Sequence, residues 1–139
     1  MANYKFMFND KTFELKDDKC SDLFNDETSP VAGISVQGII ELLSGHNEVN
    51  FEIEYYGAPC EKCLDGKERK EKIFKFLRYY FYIFTKHGEY VISDISQEYS
   101  DTSFNKLSKK KLVDDSYVVS VIVCPNCGDY CIEIEQCEV

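Results

Sequence analysis

Two cysteine pairs with the same internal spacing constrain this chain more than any other feature: Cys60-Glu61-Lys62-Cys63, and Cys124-Pro125-Asn126-Cys127 followed by Gly128. A two-residue spacer lets both sulfurs of a pair reach one ion, so the two pairs together supply four thiolates for a tetrahedral site. Pro125 fixes φ within its turn, and Gly128 can take a positive φ that leaves backbone N–H groups facing the sulfurs. Chance placement of free core cysteines rarely meets these demands. Any fold must therefore bring residues 60–63 against 124–127 across the intervening stretch 64–123. Loop closure costs entropy that grows only logarithmically with length, so a structured insert of this size is tolerable.

The remaining cysteines favour the same reading. The chain has seven, an odd number that cannot pair completely. Its opening residues, MANYKFMFNDKTFELKDD, alternate polar and apolar side chains, without the basic start and apolar run of a signal peptide, so a cytoplasmic protein with reduced thiols is expected. Zinc at Cys60, Cys63, Cys124 and Cys127 is the default, with iron in a rubredoxin-like site as the alternative, because both ions accept four thiolates in a tetrahedron. Four cysteines fill the shell and leave no position for water, so the expected role is structural. Cys20 and Cys137 lack ligand-like spacing, and Cys131, which could replace one ligand, should share a strand face with Glu133 and Glu135, so all three are read as non-ligands.

The paired elements resemble the knuckles of zinc-ribbon proteins, and CPNCG is the better match, since C-P-x-C-G is a common form of that turn. The first knuckle departs from it, with Leu64 and Asp65 before Gly66, and the insert far exceeds the roughly 15 to 20 residues of a compact zinc module. In overall length and in the arrangement FYIFTK, SFNKL and VIVCPNCG, the chain also resembles short uncharacterised proteins of clostridia, a resemblance that implies no known activity.

With 139 residues and 44% hydrophobic content the chain can bury one core, and a single domain over 1–139 is expected. Tyr4, Phe6 and Phe8, then Phe13 and Leu15, alternate with polar residues around Asn9-Asp10 and predict an opening hairpin. Residues 16–30 are polar with little periodicity and read as a loop. Ser35 as N-cap, with Val36, Ile39, Ile40 and Leu43 at helical spacing and Gly45 as a left-handed stop, predicts a helix over about 35–45. Val49, Phe51, Ile53 and Tyr55 alternate with polar residues, as a strand with one wet face would. A long hairpin is expected from Ile73 to Ile95, turning at Lys86-His87-Gly88. Thr102 or Ser103 is placed to cap a short helix carrying Phe104, Leu107 and Leu112, with Lys109 to Lys111 at its end. Tyr117 to Val123 reads as a strand buried on both faces, followed by Tyr130, Ile132 and Ile134 alternating with Cys131, Glu133 and Glu135. The fold class is α+β: an antiparallel sheet, one clear helix, and a zinc-ribbon-like knuckle pair bridged by a long structured insert.

Other functions find less support. A net charge of −9 opposes nucleic-acid binding, although 60–88 holds eight basic against four acidic residues, and Lys67, Arg69, Lys70 and Lys72 would serve a nucleic-acid-binding ribbon. The apolar runs near 79–84 and 117–124 fall short of the roughly 20 residues that span a bilayer. Phosphate-loop, dinucleotide and G-x-S-x-G hydrolase motifs are missing. His46 and His87 read as surface residues, and the aromatic run Phe74 to Phe84 as core plus a half-exposed strand face rather than a stacking or ligand surface. No catalytic residue is assigned. The expected function is a binding or regulatory module with a protein partner and a structural zinc. A thiol redox protein, a nucleic-acid-binding ribbon and an enzyme whose site carries no familiar motif are the alternatives.

Overall fold

The structure is a computed structural model that describes residues 3–46, 49–60, 62–64, 72–96, 99 and 102–137. It is α+β, with a mixed, mostly antiparallel sheet and one clear helix. The chain opens with the expected hairpin: β1 (Tyr4–Phe8) pairs with β2 (Lys11–Leu15), Phe6 opposite Phe13. Asn9 and Asp10 turn it with φ of 49° and 63°, the left-handed pair that fits the twist of a two-residue hairpin.

The segment 16–30, read as a loop, instead holds a single 3-10 turn at Asp17–Lys19 and a strand, β3 (Cys20–Phe24). β3 joins the edge of the main sheet in parallel with the C-terminal strand, opposite Tyr130 to Glu133, which makes the sheet mixed rather than purely antiparallel. Only Cys20 and Leu23 on it pack against the main core, and both are partly buried. What holds β3 is its neighbour's backbone, reinforced by Ser21 Oγ donating to the Tyr130 carbonyl at 3.2 Å and Tyr130 Oη donating to the Lys16 carbonyl at 2.7 Å. Such a strand leaves little hydrophobic periodicity of its own.

Helix α1 (Val36–Ser44) begins as expected, with Ser35 Oγ accepting from the Gly38 amide at 3.1 Å, and buries Ile39, Ile40 and Leu43. Its end differs from expectation: Gly45 has φ −86° and ψ −2°, not a left-handed conformation. The last turn tightens through His46 N–H to the Leu43 carbonyl, which satisfies the terminal carbonyls without glycine's freedom.

β4 (Glu52–Tyr56) starts later than the alternation suggested and has no buried face; Ile53 and Tyr55 are exposed. Just before it, Phe51 is buried in the core, stacked on Phe6 at 4.1 Å, and Val49 packs against the core partly buried. β5 (Phe74–Lys86) and β6 (Glu89–Ser93) form the long hairpin, turned by His87 and Gly88 with φ of 51° and 79°. α2 (Phe104–Lys109) is capped by Ser103 Oγ, accepting from Lys106 N–H at 3.2 Å. Leu112, expected on α2, lies beyond its end and is exposed.

β7 (Asp115–Val123) and β8 (Tyr130–Gln136) complete a sheet of order β3-β8-β7-β5-β4, with β6 sharing the β4 edge of β5. One face carries Leu77, Phe81, Tyr117, Val119, Val121 and Ile132 under α1 and the β1–β2 hairpin. At one end of the opposite face, Phe84 packs with Leu107, Val113 and Phe104 beneath α2. At the other end of that face the described residues leave a cleft, and Cys60 and Cys124 line it. The aromatic run divides as expected: Phe81 and Phe84 are buried, while Tyr80 and Tyr82 are half-exposed.

Candidate metal centre

Sheet pairing brings the two knuckles together. β4 runs antiparallel to β5 and delivers the chain to Cys60, while the β7–β8 turn holds Cys124 and Cys127 at the same end of the sheet. The four Sγ atoms all lie within 4.8 Å of one another. Cys60 and Cys127 are 3.7 Å apart, and Cys63 and Cys124 are 3.6 Å apart. Ligands at about 2.3 Å around a tetrahedral ion would sit about 3.8 Å from each other, so the sulfurs are spaced to hold a metal ion.

Both knuckles are built from the same turn. Gly128 N–H donates to the Cys124 carbonyl and Leu64 N–H to the Cys60 carbonyl, each at 2.9 Å. The residue after the second cysteine is left-handed in both, with φ of 83° at Gly128 and 54° at Leu64. The first knuckle, which departs from the ribbon pattern in sequence, thus keeps the turn and places a leucine where glycine is favoured.

The surroundings are uneven. The Cys124 amide donates to the Asp129 carbonyl at 2.8 Å, closing the β7–β8 turn behind the metal side. Lys11, on β2, donates its ammonium to the carbonyls of Pro125 at 2.7 Å and Asn126 at 3.1 Å. Lys62 pairs with Asp129 at 3.8 Å, and Asn126 Nδ2 reaches Cys63 Sγ at 3.5 Å, joining the knuckles. No sequence pattern pointed to Lys11, which sits on another element more than a hundred residues from its partners. Burial pushes the Cys124 and Cys127 thiols above their ordinary range. Backbone amides of Cys127 and Asn126 at Cys124, and of Asp129 at Cys127, pull the other way. A cation among the sulfurs would displace those protons, since only the thiolate is a ligand.

Among the described residues the remaining cysteines stand outside the cluster. Cys20 Sγ donates to the Asp22 carbonyl at 3.3 Å, and burial raises its thiol. His87 is largely exposed, with its backbone N–H and Nδ1 near Asp114, and belongs to a turn. Of the four basic residues considered for nucleic acid, Lys67, Arg69 and Lys70 lie outside the described residues, and Lys72 is exposed. No described helix is long and apolar enough to cross a membrane.

A cleft of about 300 Å³ adjoins the cysteines on the sheet face opposite α1, lined among others by Phe24, Tyr56, Phe76, Ile122, Cys131 and Glu133. Alternation in β8 marked Cys131 and Glu133 as solvent-facing without indicating that aromatic side chains from β3, β4 and β5 flank them.

Comparison with curated proteins and with solved structures finds no match. A family model described as "Protein of unknown function (DUF3785)" matches residues 4–139, nearly the whole chain, and the protein belongs to that family.

Proposed function

We propose that Cys60, Cys63, Cys124 and Cys127 hold one zinc ion as a structural centre, and that the protein is a cytoplasmic binding or regulatory module with a protein partner. The observation that carries this reading is the mutual approach of four sulfurs within 4.8 Å, reached from two strand ends far apart in sequence. Four thiolates complete the shell and leave no coordination site for substrate or water, which favours a structural over a catalytic ion. Zinc is preferred to iron because it needs no redox partner, although both fit the sulfur set.

A dithiol redox role is less well supported. All four sulfurs converge within 4.8 Å, with Cys60 3.7 Å from Cys127 and Cys63 3.6 Å from Cys124 across the knuckles, so neither C-x-x-C stands as an isolated dithiol. Cys127 leads into strand β8 and not into a helix whose N-terminus would stabilise a thiolate. Net charge of −9 argues against nucleic acid as the partner.

Elemental mass spectrometry on protein purified without added metal tests the reading. One zinc per chain, lost in Cys124→Ser, is expected. Metal-free protein with a disulfide inside either knuckle would overturn it in favour of redox chemistry, and one iron per chain would replace zinc.

A further inference from the structure

The cleft beside the cysteines has its own chemistry. The rings of Tyr56 and Phe76 meet almost at right angles, 83° with centroids 5.4 Å apart, and form an aromatic corner. Ile122, only 8% exposed, contributes an apolar floor, and Phe24, half exposed, stands at the far side on β3. Into this apolar surface comes the half-buried Glu133, whose backbone is paired in the sheet while its carboxylate acts on Tyr56 across the cleft. Of the described cations here, Arg78 keeps its charge, which acts on Tyr56, but Glu54, Glu133 and Glu135 line the same hollow and outnumber it. Lys62 is paired with Asp129 at 3.8 Å, and Arg78, in the adjoining part of the face, donates to Ser120 Oγ at 2.8 Å and lies 4.8 Å from the Tyr80 ring centre.

We propose that this cleft binds an organic cation with an alkylated ammonium head. The head sits in the Tyr56–Phe76 corner with Glu133 as its counter-charge, and an apolar body lies over Ile122 toward Phe24. A methylated ammonium spreads its charge over several carbons. It loses less hydration than a bare ammonium and gains from the negative faces of aromatic rings. A neutral apolar ligand would cover the Glu133 carboxylate without pairing it, and an anion would meet that charge directly. If the four cysteines carry zinc, the ion and its thiolates together add a charge of about −2 beside the cleft. This last contribution alone rests on the metal reading.

The test uses choline and its neutral isostere 3,3-dimethylbutanol, titrated into the full chain and followed by chemical shifts or tyrosine fluorescence, with metal content measured on the same samples. Saturable binding of one choline per chain is expected, about tenfold tighter than the isostere. Glu133→Gln and Tyr56→Leu should each weaken it several-fold at unchanged melting temperature. Equal affinity for both probes, no saturable choline binding up to about 10 mM, a range of affinity weaker than ordinary ligand sites, or binding indifferent to both variants would overturn the proposal. Choline binding by metal-free protein would sink the zinc reading alone. Zinc-loaded protein that ignores choline would sink only this one.

Discussion

In the knuckle at Cys124–Gly128, a glycine takes the left-handed position, a tight strand-to-strand turn supplies the frame, and Lys11 clamps two carbonyls from another hairpin. In the knuckle at Cys60–Leu64, the same turn forces a leucine to φ 54°, and the chain arrives from an edge strand with no buried face. The second half-site is organised by the fold. The first is carried to it, and its ordering depends more heavily on whatever joins the sulfurs. Two half-sites equal in ligand number therefore differ in how much of their geometry exists before an ion binds.

The largest expected effect breaks the site altogether. Structural zinc binds with roughly 10–16 kcal/mol of apparent free energy, part of which closes the first knuckle onto the second. Cys124→Ser should lose the metal and unfold the protein, because it also places a hydroxyl at a position only 4% exposed. Cys60→Ser should lose the metal yet leave a partly folded chain. Hydrogen exchange in that variant is expected to show the amides of Cys124 and Gly128 still protected while that of Leu64 exchanges freely. Equal loss of protection at both knuckles would refute the asymmetry.

Acid and base sharpen the same contrast. In metal-free protein the Cys124 and Cys127 thiols are raised by burial. A group whose pKa is higher folded than unfolded contributes stability that is present below the unfolded value, about 8.5 for a thiol, and is lost as pH rises through the folded value. Metal-free protein should therefore weaken as pH climbs above about 8.5. Metal-loaded protein has the opposite slope, since protons compete with the ion for sulfur, and it should weaken as pH falls. Thermal melting across pH 6 to 10 with and without chelator checks both signs.

The cysteine pairs were legible in the sequence because metal geometry demands a fixed spacing, and Ser35 and Asn9-Asp10 because caps and tight turns demand particular residues. These are local requirements written in local residues. β3 was not legible, since its place depends on the free edge of β8 and it brings only the partly buried Cys20 and Leu23 to the core. Lys11 reaches the knuckle only because the β1–β2 hairpin packs over the sheet, and nothing near Lys11 signals that. The cleft is likewise a product of topology: Tyr56 and Phe76 lie on β4 and β5, neighbours in chain and sheet alike, but Phe24 comes from β3, which pairs with β8 far along the chain.

Gly128→Ala probes the well-supported knuckle at smaller scale. A Cβ there would meet only Lys19 Nζ, at 3.9 Å, so space is adequate and the cost is conformational, about 1–2 kcal/mol. The shift in denaturant midpoint at constant slope measures it. Lys11→Met removes the two hydrogen bonds to Pro125 and Asn126 while keeping most of the apolar stem. The ammonium is solvent-exposed, so a charge-assisted pair that would be stronger in the interior is expected to be worth about 1 kcal/mol or less. Chemical-shift changes from Lys11→Met should be larger at 124–128 than at 60–64. A larger response in the first knuckle would mean that Lys11 acts on the site as a whole.

Leu64→Gly carries the smallest expected effect and the most direct reading of the difference between the knuckles. At φ 54° a leucine sits in a region that costs about 1–2 kcal/mol for a residue with a Cβ. Glycine would relieve that strain. It would also widen the unfolded ensemble, at a cost of about 0.4–1 kcal/mol, and give up whatever the leucine side chain, 42% exposed, contributes by packing. The terms leave a net gain of about 0.5 kcal/mol, read as a small rise in denaturant midpoint for metal-loaded protein. The sign matters more than the size. In the chelated state, where the first knuckle is expected to open, the strained turn no longer forms and the gain should vanish. If Leu64→Gly destabilises the loaded protein, the leucine is retained for its contacts. If it stabilises loaded and chelated protein alike, the first knuckle is already formed without an ion and the two half-sites are equally preorganised.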